Sequence, residues 1–434
     1  MNLPLPDRRS RALLLALSCV FALLVGFLGV RNALAAHFLG LDTRDGYERA
    51  VKLEPRNPRN WYLLGRSYLY DLEQPDPGKA VSALRKSVEL DPYSAEAMLD
   101  LAIAYDSEGD PVRARLALVE AQRVYPLSAD VSWSFGNFLL RQGDQNGAFA
   151  QFYKTLQLDP KRTSEAFSRS LQLQPDVRTV LDKVVPPSTG TYLPILRMLS
   201  EAYQMEDAQL VWDKLVGLNG KVRLDDTVVF FDAFINRWRA QEAFRLWPQA
   251  TAMMQNPPPP DPAGSLIWDG GFESGTADGG FRWRFTPVTR NVQISFDRSE
   301  KHSGEQSLRL LFNGHENVNF EDACHLFIPE PGRRYVLSGW IKTESLTSSE
   351  GIRFEIATRD AEKVTVFLGD ETHGTQPWTQ INVPWTAPEV GGLGKFCLRR
   401  KMSDMPGSDI QGAAWLDDVT LIGTDNASAA AGKP

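Results

Sequence analysis

The sequence predicts a multidomain α + β protein, in which an α-solenoid of helical hairpins is followed by an antiparallel β-sandwich. Three observations predict this fold class. A residue pattern repeats every 34 residues between positions 93 and 160, a run of prolines follows at 256–262, and short apolar runs bounded by Gly, Asn and Pro come after it. Because 434 residues is long for a single hydrophobic core, more than one domain is expected.

The N-terminal 30 residues predict a membrane anchor. Arg8, Arg9 and Arg11 lie in segment 1–11, and an uncharged, mostly apolar run of 19 residues follows at 12–30. A helix needs about 20 such residues to cross a bilayer. Basic residues before the span predict that segment 1–11 stays in the cytoplasm and that the remainder is exported.

A cleaved signal peptide is the competing interpretation of this segment. Ala33-Leu34-Ala35 offers the small residues of a cleavage site. The apolar run is longer than the roughly 7 to 15 residues usual in a signal peptide. We therefore favour an uncleaved, single-pass anchor.

The helical half is organised around one repeated unit. Its first regular copy contains Trp61-x-x-Leu64-Gly65-x-x-Tyr68, then Ala80 and Leu84, and it closes with Leu90-Asp91-Pro92. Gly or Ala at the Gly65 and Ala80 positions lets two helices approach closely, and the proline cannot continue a helix. The predicted regular repeats are 56–92, 93–126 and 127–160, preceded by a lone second helix at 42–55 and followed by degenerate repeats at 161–255.

The proline run at 256–263 predicts a stiff spacer, because consecutive prolines exclude helix. Beyond it the sequence predicts a β-sandwich over 264–423 and a disordered tail over 424–434. The candidate strands are 292–297, 306–312, 323–328, 335–343, 352–358, 379–386, 395–401 and 414–421.

The repeated unit resembles the tetratricopeptide repeat, a pair of antiparallel helices. The resemblance implies that the inner face of each first helix lines a groove that holds a protein partner or an extended peptide. The implied groove residues are Arg59, Tyr62, Arg66, Tyr70, Glu96, Leu99, Ile103, Asp106, Asp130, Trp133, Asn137 and Arg141. Tyr62 and Arg66 stand where chaperone-binding repeats carry a Lys/Asn clamp, so a chaperone role is not implied.

The C-terminal region resembles the jelly-roll carbohydrate-binding modules of the galactose-binding-like superfamily. The motifs that carry the resemblance are Gly271-Phe272-Glu273, Ser303-Gly304-x-x-Ser307-Leu308, Tyr335-x-Leu337-Ser338-Gly339-Trp340-x-Lys342, Trp378-Thr379 and Leu416-Asp417-Asp418-Val419-x-Leu421. The resemblance implies a structural Ca²⁺ held by Glu273, Asp417 and the backbone near His302 and Ser303. Hydrogen-bonded carboxylates without a metal are the equally weighted alternative.

Two further features of this region concern its aromatic residues and cysteines. Trp340 and Trp385 are the candidates for stacking on a sugar, whereas Trp283 and Trp378 are expected in the core. Cys324 and Cys397 lie on predicted strands of an exported domain. A disulfide between them and two buried thiols remain equal alternatives.

No residue pattern predicts catalysis. The five histidines do not form a His-x-x-x-His pair, and a Gly-x-Ser-x-Gly elbow and a Gly-rich phosphate loop ending in Lys-Ser/Thr are both missing from the sequence. A formal net charge of −7 gives little support to nucleic-acid binding. Apart from Ca²⁺, the sequence implies no cofactor.

The sequence thus predicts a non-enzymatic, membrane-anchored scaffold of the bacterial envelope. It would cross the inner membrane once, with its C-terminal domains in the periplasm or outside the cell. Its partner in envelope or exopolysaccharide assembly would bind the helical groove. The alternative is a glycan-binding protein that uses the jelly-roll domain, with the solenoid as a spacer or recruiter.

Overall fold

A computed structural model describes residues 8–275, 278–285, 291–359 and 364–424. The predicted cytoplasmic segment before residue 8 and the predicted tail after residue 424 lie outside the described residues. The chain divides into two compact units, Met1–Pro186 and Pro187–Pro434. Helices make up the described part of the first unit, and a helical segment followed by two β-sheets makes up that of the second. The predicted α + β fold class is confirmed.

The first unit contains ten α-helices in its described residues. They are α1 (Arg8–Gly40), α2 (Arg44–Leu53), α3 (Pro58–Leu69), α4 (Pro77–Leu90), α5 (Ala95–Glu108), α6 (Pro111–Val124), α7 (Ala129–Arg141), α8 (Gln145–Leu158), α9 (Thr163–Leu173) and α10 (Val177–Val184). Helices α3 to α8 form three successive hairpins at the positions of the predicted regular repeats. Helix α2, predicted as a lone second helix, pairs with the C-terminal end of α1.

The regular hairpins follow from local sequence signals. Asp76, Asp110 and Asp144 cap the second helix of each hairpin, and each side chain accepts a hydrogen bond from the backbone N–H three residues later. The predicted close approach is also present. A Cβ added at Gly65 would lie 2.5 Å from Cγ of Leu84, and one at Gly136 would lie 2.7 Å from Phe152. Small residues therefore permit the packing of these helix pairs.

The second unit begins with four α-helices. They are α11 (Thr189–Glu201), α12 (Met205–Gly217), α13 (Val228–Asn236) and α14 (Ala240–Ala252). These are the hairpins predicted as degenerate repeats between residues 192 and 254.

The predicted boundary at 256–263 does not coincide with the division that the structure shows. Helices α13 and α14 pack against the β-sandwich, with Phe244 and Trp247 in ring contact with Phe281. The prolines at 257–260 lie inside the second unit. A proline run constrains the local backbone, but it does not prevent side chains on either side of it from packing together.

The sandwich consists of two five-stranded antiparallel sheets. Its strands are β1 (Trp283–Phe285), β2 (Val292–Asp297), β3 (Ser307–Asn313), β4 (Phe320–Phe327), β5 (Arg334–Thr347), β6 (Arg353–Arg359), β7 (Val364–Leu368), β8 (Gly374–Thr386), β9 (Leu393–Arg400) and β10 (Gln411–Gly423). One sheet has the order β1-β4-β9-β6-β7 and the other β2-β3-β10-β5-β8. Strands β1 and β7 were not predicted from the sequence.

Alternate residues of the central strands point into a shared apolar core. Leu337 and Ile341 on β5 and Leu416 on β10 are buried there together with Phe354 and Phe396 from the facing sheet. Cys324 and Cys397 are directly opposite each other on β4 and β9, and they form a disulfide. The alternative of two free thiols is therefore not the one found.

Candidate functional site

Part of the predicted groove is a cluster of aromatic and charged side chains around a buried carboxylate. Tyr70 donates a hydrogen bond to Asp100 across 2.7 Å, and Nε of Arg66 lies 3.4 Å from the same carboxylate. The Arg66 guanidinium also lies over the rings of Tyr62 and Tyr70. The first two regular hairpins are therefore linked through this cluster, which we name the Asp100 cluster (Tyr62, Arg66, Tyr70 and Asp100).

Burial shapes the acid–base properties of the Asp100 cluster. Desolvation raises the pKa of Asp100, although hydrogen bonding from Tyr70 and the charge of Arg66 act in the opposite direction. Desolvation also raises the pKa of Tyr62 to about 12, so this phenol stays neutral at physiological pH. The hydroxyl groups of Tyr62 and Tyr70 are hydrogen-bonded to Asp100, so the cluster presents two phenol rings, their oxygen lone pairs and one guanidinium to a ligand.

Several of the other groove residues contact side chains of the neighbouring hairpin. Arg141 donates to Asp106 at 2.8 Å, Arg162 pairs with Asp130, and Arg169 donates to Asn137 at 2.8 Å. The guanidinium groups of Arg162 and Arg169 also lie 5.3 and 5.2 Å from the Trp133 ring centroid. These contacts orient the side chains that the sequence placed on the groove.

Arg59 and Leu99 lie elsewhere on the predicted groove. Arg59 is exposed and lines a cavity of about 300 Å³ together with Tyr62 and Glu96. Leu99 packs at the edge of a small apolar cluster around Met98. A second cavity of about 470 Å³ is lined by Arg66, Tyr70 and residues of α2 and the turn before it.

Trp340, predicted to bind sugar, lies on the outer face of the β2-β3-β10-β5-β8 sheet. The imidazole of His302 stacks on it with ring centroids 3.8 Å apart and an interplanar angle of 14°. Trp378 meets the same imidazole edge-on, and its indole N–H donates to Glu300 at 3.0 Å. The loop between β2 and β3 therefore covers one face of Trp340.

Trp385 is in the core, which corrects its assignment as a sugar-stacking residue. Its side chain is 8% exposed and contacts the rings of Tyr335 and Phe327. Trp283 is buried as expected, and its indole N–H donates to the backbone oxygen of Asp269. Trp378 is half-buried on the outer face, so the expectation that it fills the core was wrong.

The predicted calcium ligands are held by backbone N–H groups. Asp417 accepts hydrogen bonds from the backbone nitrogens of His302, Ser303 and Asp418 at 2.9 to 3.1 Å. Glu273 accepts one from the nitrogen of Glu305 at 2.8 Å. The backbone at 302–303 thus presents N–H groups to Asp417, whereas Ca²⁺ requires oxygen ligands.

These contacts do not fit the carbonyl ligation that the resemblance implied. Within the part of the chain that the structure describes, no group of three or more His, Cys, Asp or Glu side chains is placed to hold a metal. Ca²⁺ sites in proteins also use backbone carbonyl oxygens, which are not side-chain ligands. The calcium site therefore stays a prediction.

The tetratricopeptide repeat family matches residues 99–163, which run from within α5 through α8 to the start of α9. Residues 99–163 are tetratricopeptide repeats. The hairpins of α3 to α8 share the same caps and the same close helix contacts. The family match does not include the α3–α4 hairpin.

Comparison with solved structures and curated proteins gives more distant similarities. The chain is 22% identical to MamA, covering 39% of this chain and 85% of MamA with a TM-score of 0.29. It is 19% identical to Family 16 Carbohydrate Binding Module-2, covering 36% of this chain and 99% of that module with a TM-score of 0.27. The tRNA(Glu)-specific nuclease WapA of Bacillus subtilis subsp. natto (strain BEST195) is 24% identical over 164 residues, or 36% of this chain. That match spans 7% of the nuclease's own length.

Asp100 is the residue of the tetratricopeptide repeats that the sequence analysis missed. It lies beside Leu99, which was assigned to the groove, and it is buried on a helix whose other buried residues are Ala, Met, Leu and Tyr. A carboxylate in such an apolar stripe was the available signal, because buried charges require partners. Its partners Tyr70 and Arg66 belong to the preceding hairpin, so their contact appears only once the repeats stack.

Proposed function

We propose that this protein is a non-enzymatic, membrane-anchored scaffold that binds a protein partner in the groove of its tetratricopeptide repeats. The observation that carries the proposal is the Asp100 cluster, where two phenols and a guanidinium border open cavities on consecutive hairpins. Such side chains can hydrogen-bond the backbone of an extended peptide and pack against its side chains.

The geometry of α1 supports an uncleaved anchor. Residues Arg11–Gly40 form one helix that is long and apolar enough to cross a membrane. The C-terminal end of the same helix pairs with α2, and Ala35 is fully buried there. Cleavage after Ala35 would remove most of the helix against which α2 packs.

The proposed location is the inner membrane of a bacterium, with the repeats and the sandwich on the exported side. The arginines before the apolar run favour that orientation, and the Cys324–Cys397 disulfide suits an oxidising compartment. The proposed role is to hold a component of envelope or exopolysaccharide assembly close to the membrane surface, because no flexible linker separates α1 from the first hairpin.

Site-specific crosslinking tests the groove. A photoreactive residue at position 62 of the full-length protein, expressed in its membrane, should capture a defined partner. Binding of the purified partner should then weaken at least about tenfold in Tyr62→Ala. Tyr93→Ala is the matched control, because Tyr93 is highly exposed and was not assigned to the groove. Equal loss in both variants, or no loss in Tyr62→Ala, would contradict the proposal.

Glycan binding by the sandwich is the second candidate function. The observation that favours it is the stacked His302–Trp340 pair on the outer face of the sheet. A pyranose ring packing on an aromatic surface would use the edge of this pair. Affinity gels with immobilised neutral polysaccharides, which lack the carboxylate, should retard the full-length protein, and Trp340→Ala should abolish the retardation. Retention of binding in Trp340→Ala would exclude this site.

A further inference from the structure

Four helical hairpins have the same turn geometry, but the residue with a positive φ angle in the turn differs between them. Gly109, Gly143, Tyr203 and Trp238 each follow a first helix and have φ angles of 89°, 75°, 55° and 61°. In all four turns the backbone N–H of this residue donates to the carbonyl oxygen three residues earlier. The N–H of the next residue donates to the carbonyl oxygen five residues before itself. This is the glycine-favouring end of a helix, known as the Schellman motif.

Aromatic residues at this position are energetically unfavourable. A side chain in the left-handed region places its Cβ close to the following carbonyl, a contact that glycine avoids. The Trp238 side chain is also 68% exposed, so burial does not compensate for the strain. Strained backbone with an exposed aromatic ring is typical of binding sites.

Trp238 lies at a cavity of about 490 Å³ between the α13–α14 hairpin and one end of the sandwich. Apolar residues line most of it, including Ile235, Ile328, Pro329 and Leu393. The polar side chains of the lining are Gln241 and Arg359. The guanidinium of Arg359 lies 4.7 Å from the Trp238 ring centroid.

The positive charge of Arg359 in the cavity lining favours a ligand with a negative charge. Among the residues that the structure describes, no carboxylate lines the cavity and none is ion-paired with Arg359. Arg359 places a guanidinium in the cavity lining, and a guanidinium matches the two oxygens of a carboxylate. The exposed indole and the apolar rim suit the C–H face of a sugar ring, while Gln241 can hydrogen-bond hydroxyl groups.

We propose that this cavity binds a sugar residue that carries a carboxylate, such as a uronic acid within a polysaccharide. The pyranose packs against Trp238 and the adjacent apolar lining, and its carboxylate pairs with Arg359. This site is separate from the peptide groove and from Trp340, so it stands whether or not either of those binds a ligand.

Titration of the full-length protein in detergent with a short oligogalacturonate, followed by calorimetry, tests the proposal. Trp238→Gly should weaken binding at least about tenfold, yet it should melt at the same or a higher temperature because glycine suits the turn. Tyr203→Gly is the matched control. It changes the same turn position outside the cavity, so it should also keep or raise the melting temperature while binding stays unchanged.

The role of the carboxylate is tested with the methyl ester of the same oligosaccharide. The parent protein should prefer the acid, and Arg359→Gln should remove that preference. In Trp340→Ala the preference for the acid over the ester should persist, which separates this site from the other glycan candidate. Unchanged binding in Trp238→Gly, equal binding of acid and ester, or binding of a proline-rich peptide in place of the saccharide would each overturn the proposal.

Discussion

Arg282 donates a hydrogen bond to the carboxylate of Asp225 across 2.7 Å, and this contact connects the helical segment of the second unit to its β-sandwich. The Arg282 side chain is 5% exposed. Arg284 pairs with Asp232 on α13 beside it, and Asp232 also accepts from the nitrogen of Gly280. The helices and the sandwich are therefore joined by charged groups as well as by ring contacts.

Removing the carboxylate of Asp225 should destabilise the second unit. Asp225→Ala leaves a buried guanidinium without its carboxylate. We expect a loss of about 2 kcal/mol, below the full cost of a buried pair, because Asp225 is half exposed and two backbone oxygens still accept from Arg282. Arg223→Ala is the control, since Arg223 pairs with the same carboxylate at the surface and should change stability by less than about 0.5 kcal/mol. Denaturant unfolding of the full-length protein provides the comparison. Equal effects would show that the Arg282 contact contributes nothing specific.

Gly280 should tolerate no side chain. A Cβ at this position would lie 2.7 Å from the indole of Trp247, and its φ angle is +60°. We expect Gly280→Ala to lower the melting temperature more than Gly275→Ala, which has a similar positive φ but no neighbour within 4 Å. The difference between the two variants isolates the packing of α14 against the sandwich. Identical melting temperatures would contradict that packing.

Stability should fall in acid because of His325. This imidazole is fully buried, and its Nε2 accepts from the backbone nitrogen of Trp268 at 3.2 Å. Desolvation lowers the pKa of His325 to about 3, below its usual value near 6.5. The unfolded chain therefore binds a proton that the folded chain does not, so stability is retained above about pH 6.5 and decreases as the pH falls towards 3.

Replacing His325 with a side chain that does not titrate measures its contribution to the pH dependence of stability. Burial raises the pKa of Asp269 and of Asp417 to about 6, so protonation of these carboxylates favours the folded state as the pH falls. The effect of His325 is therefore measured as the difference in stability between variant and parent at each pH. His325→Gln should be less stable at neutral pH but should reduce the acid loss by about 3 kcal/mol between about pH 7 and pH 4. The control His315→Gln, at an exposed position, should keep the parent's pH dependence. An unchanged pH dependence in His325→Gln would refute the assignment.

Asp417 should stabilise the sandwich by organising the loop between β2 and β3. Asp417→Ala removes the acceptor of three backbone N–H groups, and we expect a loss of about 2 to 3 kcal/mol. Asp418→Ala, whose partners are the more exposed side chains of His302 and Ser303, should cost less. The loss should be the same with and without a calcium chelator. If the chelator alone lowered the parent's stability to that of Asp417→Ala, the calcium prediction would hold instead.

Alternation along strands carried more information than the sequence analysis used. On β8 the residues Ile381, Val383 and Trp385 lie on one face, so the period of two places Trp385 on the same inward face as Val383. On β5 the side chains of Leu337 and Ile341 point into the core. Trp340 is an odd number of residues from each of them, so it points outward. The assignment of both tryptophans to one ligand face was therefore avoidable.

The sequence by itself determined the helical hairpins, their caps and close contacts, the apolar N-terminal helix and the change to β-structure, because these depend on residues close together along the chain. Only the tertiary structure decided which elements share a unit, where Asp100 finds its partners and that Trp238 meets Arg359. These depend on contacts between residues far apart in sequence, and their formation is decided by side-chain packing and charge pairing that local periodicity does not encode.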